Sequence, residues 1–309
     1  MRRWQTDLTN LWIEQYFQDV DIEKLTEGRY NCISVYRKVI YLSNYSFETG
    51  KVSRGEKIGY VMALSTEQHY SGGSFLDVDT IIFEEFMERG SYIGKNEPDR
   101  FMILYSTIDR KQGRVKVWMV GNTITRACPY FSAWEIEDIF RKLKQGEIDE
   151  KIIHNEVNDV KIAIEYCPVS GGKQMTIGNA SKMIDKGGWQ TNPQPHLPKS
   201  YNEYKCLFRC VFLYQNFKFL GEYLQDIEEP ENTCWFIYPK YTEIKENTLV
   251  FSDIVQISRF WQRDIYNTTL RNKRLNNLFR NTFRESKIFY SDDLTGTEFK
   301  EVIDFPIKK

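Results

Sequence analysis

The sequence predicts an α/β protein: a parallel-sheet domain, then a linker, then a smaller α+β domain. Three observations predict it. An apolar run ending in two acids, Thr80-Ile-Ile-Phe-Glu-Glu-Phe86, is followed by a helical pattern over 99–108 and a second apolar run, Val115-Lys-Val-Trp-Met-Val120. Strand, helix, strand in that order gives neighbouring parallel strands, with function gathered at their carboxyl ends. A loop-like stretch at 167–200, holding four of the nine prolines, then separates this pattern from β-rich runs at 206–213, 217–224, 234–238 and 249–251.

The remaining elements follow in order. Residues 7–20 place Leu8, Leu11, Trp12, Tyr16 and Val20 near helical spacing, with Asp7 positioned as a cap. Short β-rich runs at 32–36, 39–42 and 58–64 are punctuated by Gly50, Gly55 and basic residues, as turns between strands are. Ser71-Gly-Gly-Ser74 is a flexible loop ahead of the Thr80 run, and a polar loop with Gly90, Gly94 and Pro98 follows the acids. A helix over 132–143 and a strand over 160–166 complete the first half, and helices are expected at 253–264 and 268–284. The chain shows no internal repeat and no low-complexity tract.

Composition narrows the function classes. With 309 residues, 41% hydrophobic and 15% aromatic, the chain has the material for a real core, which excludes a disordered protein. A formal charge of −1 excludes general affinity for nucleic acid, so such binding needs a local patch. Lys51, Arg54 and Lys57, between the strand patterns, form one candidate patch. Residues 258–287 form another, with eight basic side chains against two acidic ones and Phe260, Trp261, Tyr266, Phe279 and Phe283 interleaved; Arg271, Lys273 and Arg274 lie within it. Each patch equally describes a solvated face. No apolar run approaches the roughly 20 residues needed to cross a bilayer, and the first residues lack a signal peptide's apolar stretch, so neither membrane insertion nor secretion is expected. The six cysteines are scattered and read as reduced thiols, and His69, His154 and His196 are too far apart to suggest a metal cluster.

The chemistry concentrates around the acids. Glu84 and Glu85 end an apolar strand, where a nucleotide hydrolase has one acid on the Mg²⁺ side and a separate residue positioning water. An ordinary strand running into solvent has the same pattern. Thr107-Ile-Asp-Arg-Lys-Gln-Gly-Arg114 is a basic turn that reads either as a solvated surface or as the seat of an arginine finger reaching a neighbour's phosphates. Gly121-Asn122 reads either as a γ-phosphate sensor or as a simple turn.

The ordered set Leu64-Ser65, Val78 to Phe86, Asp109-Arg110, Val120-Gly-Asn122 and Cys128-Pro-Tyr-Phe131 resembles the DNA-encapsidation ATPases of small tailed bacteriophages, the packaging motors of the phi-twenty-nine type. The resemblance implies ATP and Mg²⁺ as cofactors. It also implies a homo-oligomeric ring, typically of five subunits, that drives double-stranded DNA into a procapsid in the host cytoplasm, in contact with the portal and any RNA on it. Glu84 would be the Mg²⁺-side acid, Glu85 the glutamate that orients water, Arg110 the trans-acting finger and Asn122 part of the coupling segment. Residues 1–163 would be a truncated P-loop NTPase domain of the ASCE type, 164–200 the linker and 201–309 a vestigial RNase H-like domain.

Three departures qualify this expectation. The chain has no Gly-x-x-x-x-Gly-Lys-Ser/Thr loop to cradle phosphates, since Gly171-Gly-Lys173 runs into Gln174 and lacks the first glycine. The family places that loop upstream of Met1, which therefore reads as an internal start. Glu84 stands where the family uses Asp, and Ser71 where it often has a basic residue. In the second half, Lys205-Cys-Leu-Phe-Arg-Cys-Val-Phe-Leu213 carries no carboxylate, and Asp226, Glu228, Glu229 and Glu231 fall in a hairpin loop. A two-metal nuclease needs clustered carboxylates, so nuclease activity is disfavoured. The expected function is that of a packaging-motor ATPase subunit, inactive alone without the P-loop. The rivals are a non-catalytic DNA- or portal-binding subunit and a terminase large subunit with nuclease activity.

Overall fold

The computed structural model describes residues 10–88, 92–93, 96–154, 159–169, 177, 179–214, 217–245, 248–252, 261–262, 281–282, 285 and 287–303. The chain divides into two compact units, Met1–Gly121 and Asn122–Lys309. The expected boundary at 163 and the linker at 164–200 both lie inside the second unit.

In the first unit, two short helices, α1 (Asn10–Gln15) and α2 (Ile22–Leu25), lead into an antiparallel meander of β1 (Cys32–Tyr36), β2 (Val39–Ser46) and β3 (Lys51–Tyr60). The Glu14 carboxylate accepts from Val35 N at 3.0 Å and fastens the segment to β1. Strand β3 corrects the sequence reading. It begins at Lys51, so Lys51, Arg54 and Lys57 are strand residues and not a loop. Neither of its faces is buried from 51 to 58, which removes the apolar alternation by which strands are read. Nor does a strand continue to Leu64-Ser65. Leu64–Tyr70 is a 3₁₀ helix, with Thr66 Oγ1 donating to Ala63 O at 3.1 Å at its start.

The expected strand–helix–strand unit is present as β4 (Thr80–Glu84), α3 (Glu97–Asp109) and β5 (Lys116–Val120). The strands are parallel, in register from Thr80 opposite Lys116 to Glu84 opposite Val120. Helix α3 covers one face, with Phe83 stacked on Phe101 at 5.3 Å between ring centroids and Leu104 and Ile108 buried. The other face is open. Ile82 and Trp118, paired across the strands, are 65% and 63% exposed, and Val120 is 57% exposed. Parallel strands are ordinarily covered on both faces. Among the described residues β4 and β5 pair only with each other.

In the second unit, the helix expected over 132–143 is two pieces, α4 (Pro129–Ala133) and α5 (Glu137–Lys142), separated at Glu135, whose φ is +53°. A hairpin of β6 (Ile148–Ile153) and β7 (Val160–Glu165) follows, then α6 (Asn179–Ile184). A mixed six-stranded sheet is built from β8 (Tyr204–Tyr214), β9 (Phe217–Asp226), β10 (Thr233–Pro239), β11 (Val250–Ser252), β12 (Trp261–Gln262) and β13 (Ile288–Tyr290), in the order β12-β11-β8-β9-β10-β13. Strands β8 to β10 form an antiparallel meander, while β11 and β12 extend it in parallel beyond β8 and β13 lies parallel to β10. Helix α7 (Asp293–Val302) contributes Phe299 to a core with Phe212, Phe219, Trp235 and Tyr290. Strand β12 replaces part of the helix expected over 253–264, whose other residues lie outside the described ones. Of the helix expected over 268–284, only Asn281 and Thr282 are described, and both are helical.

The proline-rich stretch expected as a linker is bound within this unit. Gln190 N donates to Thr123 O at 2.9 Å, Gln194 N to Asp293 Oδ1 at 3.0 Å, and Pro195 O accepts from Tyr290 N at 2.9 Å. Among the described residues, no helix is long and apolar enough to cross a membrane.

Candidate functional site

Glu84 closes β4, level with Val120 at the end of β5, and shares the open face of the sheet with Ile82. Glu85 follows with φ at +52°, in the left-handed region, which turns the chain sharply out of the strand. For a residue with a Cβ that conformation costs about 1–2 kcal/mol, and the surrounding packing holds it. Phe86 and Met87 are buried, and Phe86 packs so closely on Gly121 that a Cβ there would sit 3.2 Å from its ring. Both acids are exposed at this anchored turn. Burial raises the pKa of the Tyr16 phenol, and the charges of Glu84 and Glu85 raise it further, so Tyr16 belongs to the acids' surroundings. Sequence spacing assigns Tyr16 only a helix position, because nothing in it relates Tyr16 to residue 84.

The turn from α3 to β5 is organised by Asp109, which is 2% exposed. Its carboxylate accepts from Gly113 N at 2.8 Å, Arg114 N at 2.9 Å and Val115 N at 3.0 Å. Burial opposes its ionisation, but these backbone N–H groups together with that of Gln112 outweigh burial and hold its pKa below the usual value. A depressed folded pKa gives stability that is present above the unfolded value of about 3.9 and is lost as pH falls through the folded value. Asp109→Ala is therefore expected to cost about 2–3 kcal/mol of first-unit stability at neutral pH. Urea unfolding should also show a shallower acid dependence in Asp109→Asn than in the wild type.

Arg110 caps α3 with φ at +52° and turns its guanidinium back on its own chain, donating to Gly73 O at 2.6 Å. Arg114 donates to Phe75 O at 2.9 Å, to Ile108 O at 3.0 Å and to Val78 O. Together the two arginines fasten the loop before β4 to the end of α3. Sequence reasoning missed Arg114 and Asp109 as scaffold. Its available signal was the Asp109-to-Gly113 spacing of a closed turn.

The oxygen donor of Glu84 suits Mg²⁺, which uses one or two carboxylates and takes its other ligands from phosphates and water. Among the described residues, no group of three His, Cys, Asp or Glu side chains is placed to hold a metal without such help. Asn122 is the first residue of the second unit, and its carbonyl accepts from Ile124 N at 2.8 Å.

Of the basic candidates, Lys57 is engaged, 2.5 Å from Asp77 and 2.8 Å from Tyr60 OH; these hydrogen bonds raise its pKa. Lys51 and Arg54 are exposed on β3. Arg271, Lys273 and Arg274 lie outside the described residues. In the second unit the acids are dispersed among cations. Glu222, fully buried, takes Arg209 Nε at 2.6 Å, Tyr201 OH at 2.5 Å and Tyr238 OH at 3.1 Å. Asp226 pairs with Lys199 at 2.8 Å and accepts from Glu228 N and Glu229 N, inside the expected hairpin turn.

No protein-family model matches the chain, and no curated protein matches it. Among solved structures, the chain is similar to the Phi-28 gp11 DNA packaging motor, with 15% identity and a TM-score of 0.44 over 98% of this chain and 85% of that one. It is also similar to a chain of the bacteriophage Phi-29 viral genome packaging motor assembly, with 16% identity and a TM-score of 0.45 over 91% of this chain and 78% of that one.

Proposed function

We propose that this chain is a viral genome-packaging motor subunit carrying the acid half of an ATP site. The observation that carries the reading is the parallel β4–α3–β5 unit, with Glu84 and Glu85 at the carboxyl end of β4 and Arg110 at the end of α3. In this reading Glu84 would help hold Mg²⁺, which would neutralise charge on the nucleotide's phosphates, and Glu85 would orient the attacking water. Arg110 exchanges the Gly73 carbonyl for a neighbour's phosphate in a ring of copies, which resemblance to the packaging family sets at five. Asn122 lies in the segment that couples hydrolysis to movement of double-stranded DNA through a portal into the procapsid.

The second unit supports an RNase H-like fold without nuclease activity. An antiparallel meander extended in parallel from its first strand fits the architecture, and the pairing of Glu222 with Arg209 and of Asp226 with Lys199 opposes a two-metal site.

One specific observation favours a second reading, a non-catalytic DNA- or portal-binding subunit: no phosphate-cradling P-loop motif occurs in the 309 residues. The purified chain is expected to turn over ATP no faster than buffer alone. Turnover abolished by Glu85→Gln would overturn that expectation. Packaged-DNA yield in infected cells separates the two readings, falling with Glu85→Gln under the first and unchanged under the second.

A further inference from the structure

We infer that the β1–β3 sheet is the surface on which this chain grips the phosphate backbone of duplex DNA, with Arg37 and Arg54, stacked on Tyr36, as its centre. The choice of duplex DNA rests on the proposed function; the location rests on four features of the sheet.

The first is charge. Residues 29–60 carry six basic side chains and two acidic ones, a local surplus of four in a chain whose overall charge is −1. The second is availability. Lys57 is occupied by Asp77, and Arg29 lies 4.0 Å from Glu56. Arg37, Lys38, Lys51 and Arg54 have no carboxylate within ion-pair distance among the described residues, and all four are exposed.

The third feature is the turn between β1 and β2. It consists of Arg37 and Lys38 alone, with φ at +49° and +63°. Two-residue hairpins of this kind favour Asn-Gly or Gly-Gly, since a Cβ is strained at positive φ. The next turn follows that preference, with Gly50 at φ +64°. Placing two long cations where glycine would be less strained points to a use for their charge.

The fourth is the arrangement around Tyr36. The Arg37 and Arg54 guanidinium carbons lie 5.2 Å and 4.2 Å from its ring centroid. Stacking occupies a guanidinium's face and leaves its N–H edge for phosphate oxygens. Holding two like charges against one ring also sets up a repulsion that an anion relieves. Duplex is favoured over a single strand because Tyr36, the ring at the centre, is taken by guanidinium groups and is not open for base stacking.

The test is fluorescence anisotropy of a labelled duplex of about 30 base pairs titrated with the full chain, from about 50 to 200 mM salt, the range over which phosphate contacts are read. The Arg37→Gln, Arg54→Gln double variant is expected to bind about tenfold more weakly, with a salt slope smaller by about two. Lys57→Gln should change binding little. Arg37→Lys, which keeps the charge but not the planar fork, should lose less than Arg37→Gln. Unchanged binding in the double variant would overturn the location and leave the motor reading standing. No duplex binding by the wild type at about 50 mM salt, or tighter binding of a single strand of equal length, would overturn both the inference and the DNA part of the proposed function.

Discussion

Arg126→Ala is expected to destabilise the second unit by about 3–5 kcal/mol at neutral pH, the range for breaking a buried ion pair from one side. Arg126 Nε lies 2.5 Å from Glu298 Oε1, and the two side chains are 14% and 8% exposed. Burial raises the Glu298 pKa and the Arg126 charge opposes it, leaving the net value above that of an ordinary glutamate. A raised folded pKa gives stability that is fully present below the unfolded value of about 4.3 and is lost as pH rises through the folded value. Removing Arg126 moves the folded value higher still. The loss in the variant should therefore be largest near neutrality and shrink toward about pH 4, where Glu298 is protonated in both states. Denaturant unfolding at the two pH values, followed by near-ultraviolet circular dichroism, reads this difference directly. A loss of under about 1 kcal/mol at neutral pH would show that solvent compensates the orphaned carboxylate. Adding Glu298→Leu to Arg126→Ala should recover part of the loss, because it removes the unpaired charge.

Phe299→Ala should be comparably damaging, at about 3–5 kcal/mol, because it empties the centre of the same unit. Phe299 is fully buried on α7 and meets Phe212 of β8 and Phe219 of β9 edge to face, each at 5.3 Å, with Tyr290 of β13 at 5.8 Å. The backbone approaches closely here. A Cβ on Gly296 would come within 2.8 Å of the Tyr290 ring, and one on Gly221 within 2.5 Å of Phe212. Such contacts leave little slack for the core to collapse into a vacated ring's space. Phe299→Leu should cost distinctly less, since it keeps most of the volume. Equal losses for the two variants would mean that the aromatic edges, not the filled volume, hold α7.

The parts of the fold visible in the sequence were those with one buried face. Phe83, Phe101 and Leu104 supply the periodicity that marks β4 and α3, and the apolar runs of β8, β9 and β10 announce the second sheet. Strand β3 escapes this signal because an exposed strand has no such period. Helix α7 carries a weak signal although Asp292 caps it, accepting from Thr295 N at 2.7 Å, because Thr295, Gly296 and Thr297 dilute its apolar pattern. At the candidate site the sequence pattern shows that Glu84, Glu85 and Arg110 stand at element ends, and the roles given to them remain proposals. The scaffold parts of Asp109 and Arg114 are not visible there, because their partners are backbone groups that only the folded turn assembles. The bonding of residues 190–195, within the stretch read as a linker, is hidden from the sequence for the same reason. Proline and glycine content marks irregular backbone, and irregular backbone is compatible with a tightly bonded strap.

That strap has a kinetic consequence. Asn192 N donates to Thr297 Oγ1 across 105 residues, and Thr125 bonds Glu301 across 176. Thr125, near the start of the second unit, and Asn192, in the strap, are thus both held by its closing helix. Closing loops of that length is slow, and these contacts must await synthesis of residues 293–302. Until then Phe212 and Phe219 lack their contact with Phe299, and the partly made unit exposes apolar surface of the kind that favours aggregation.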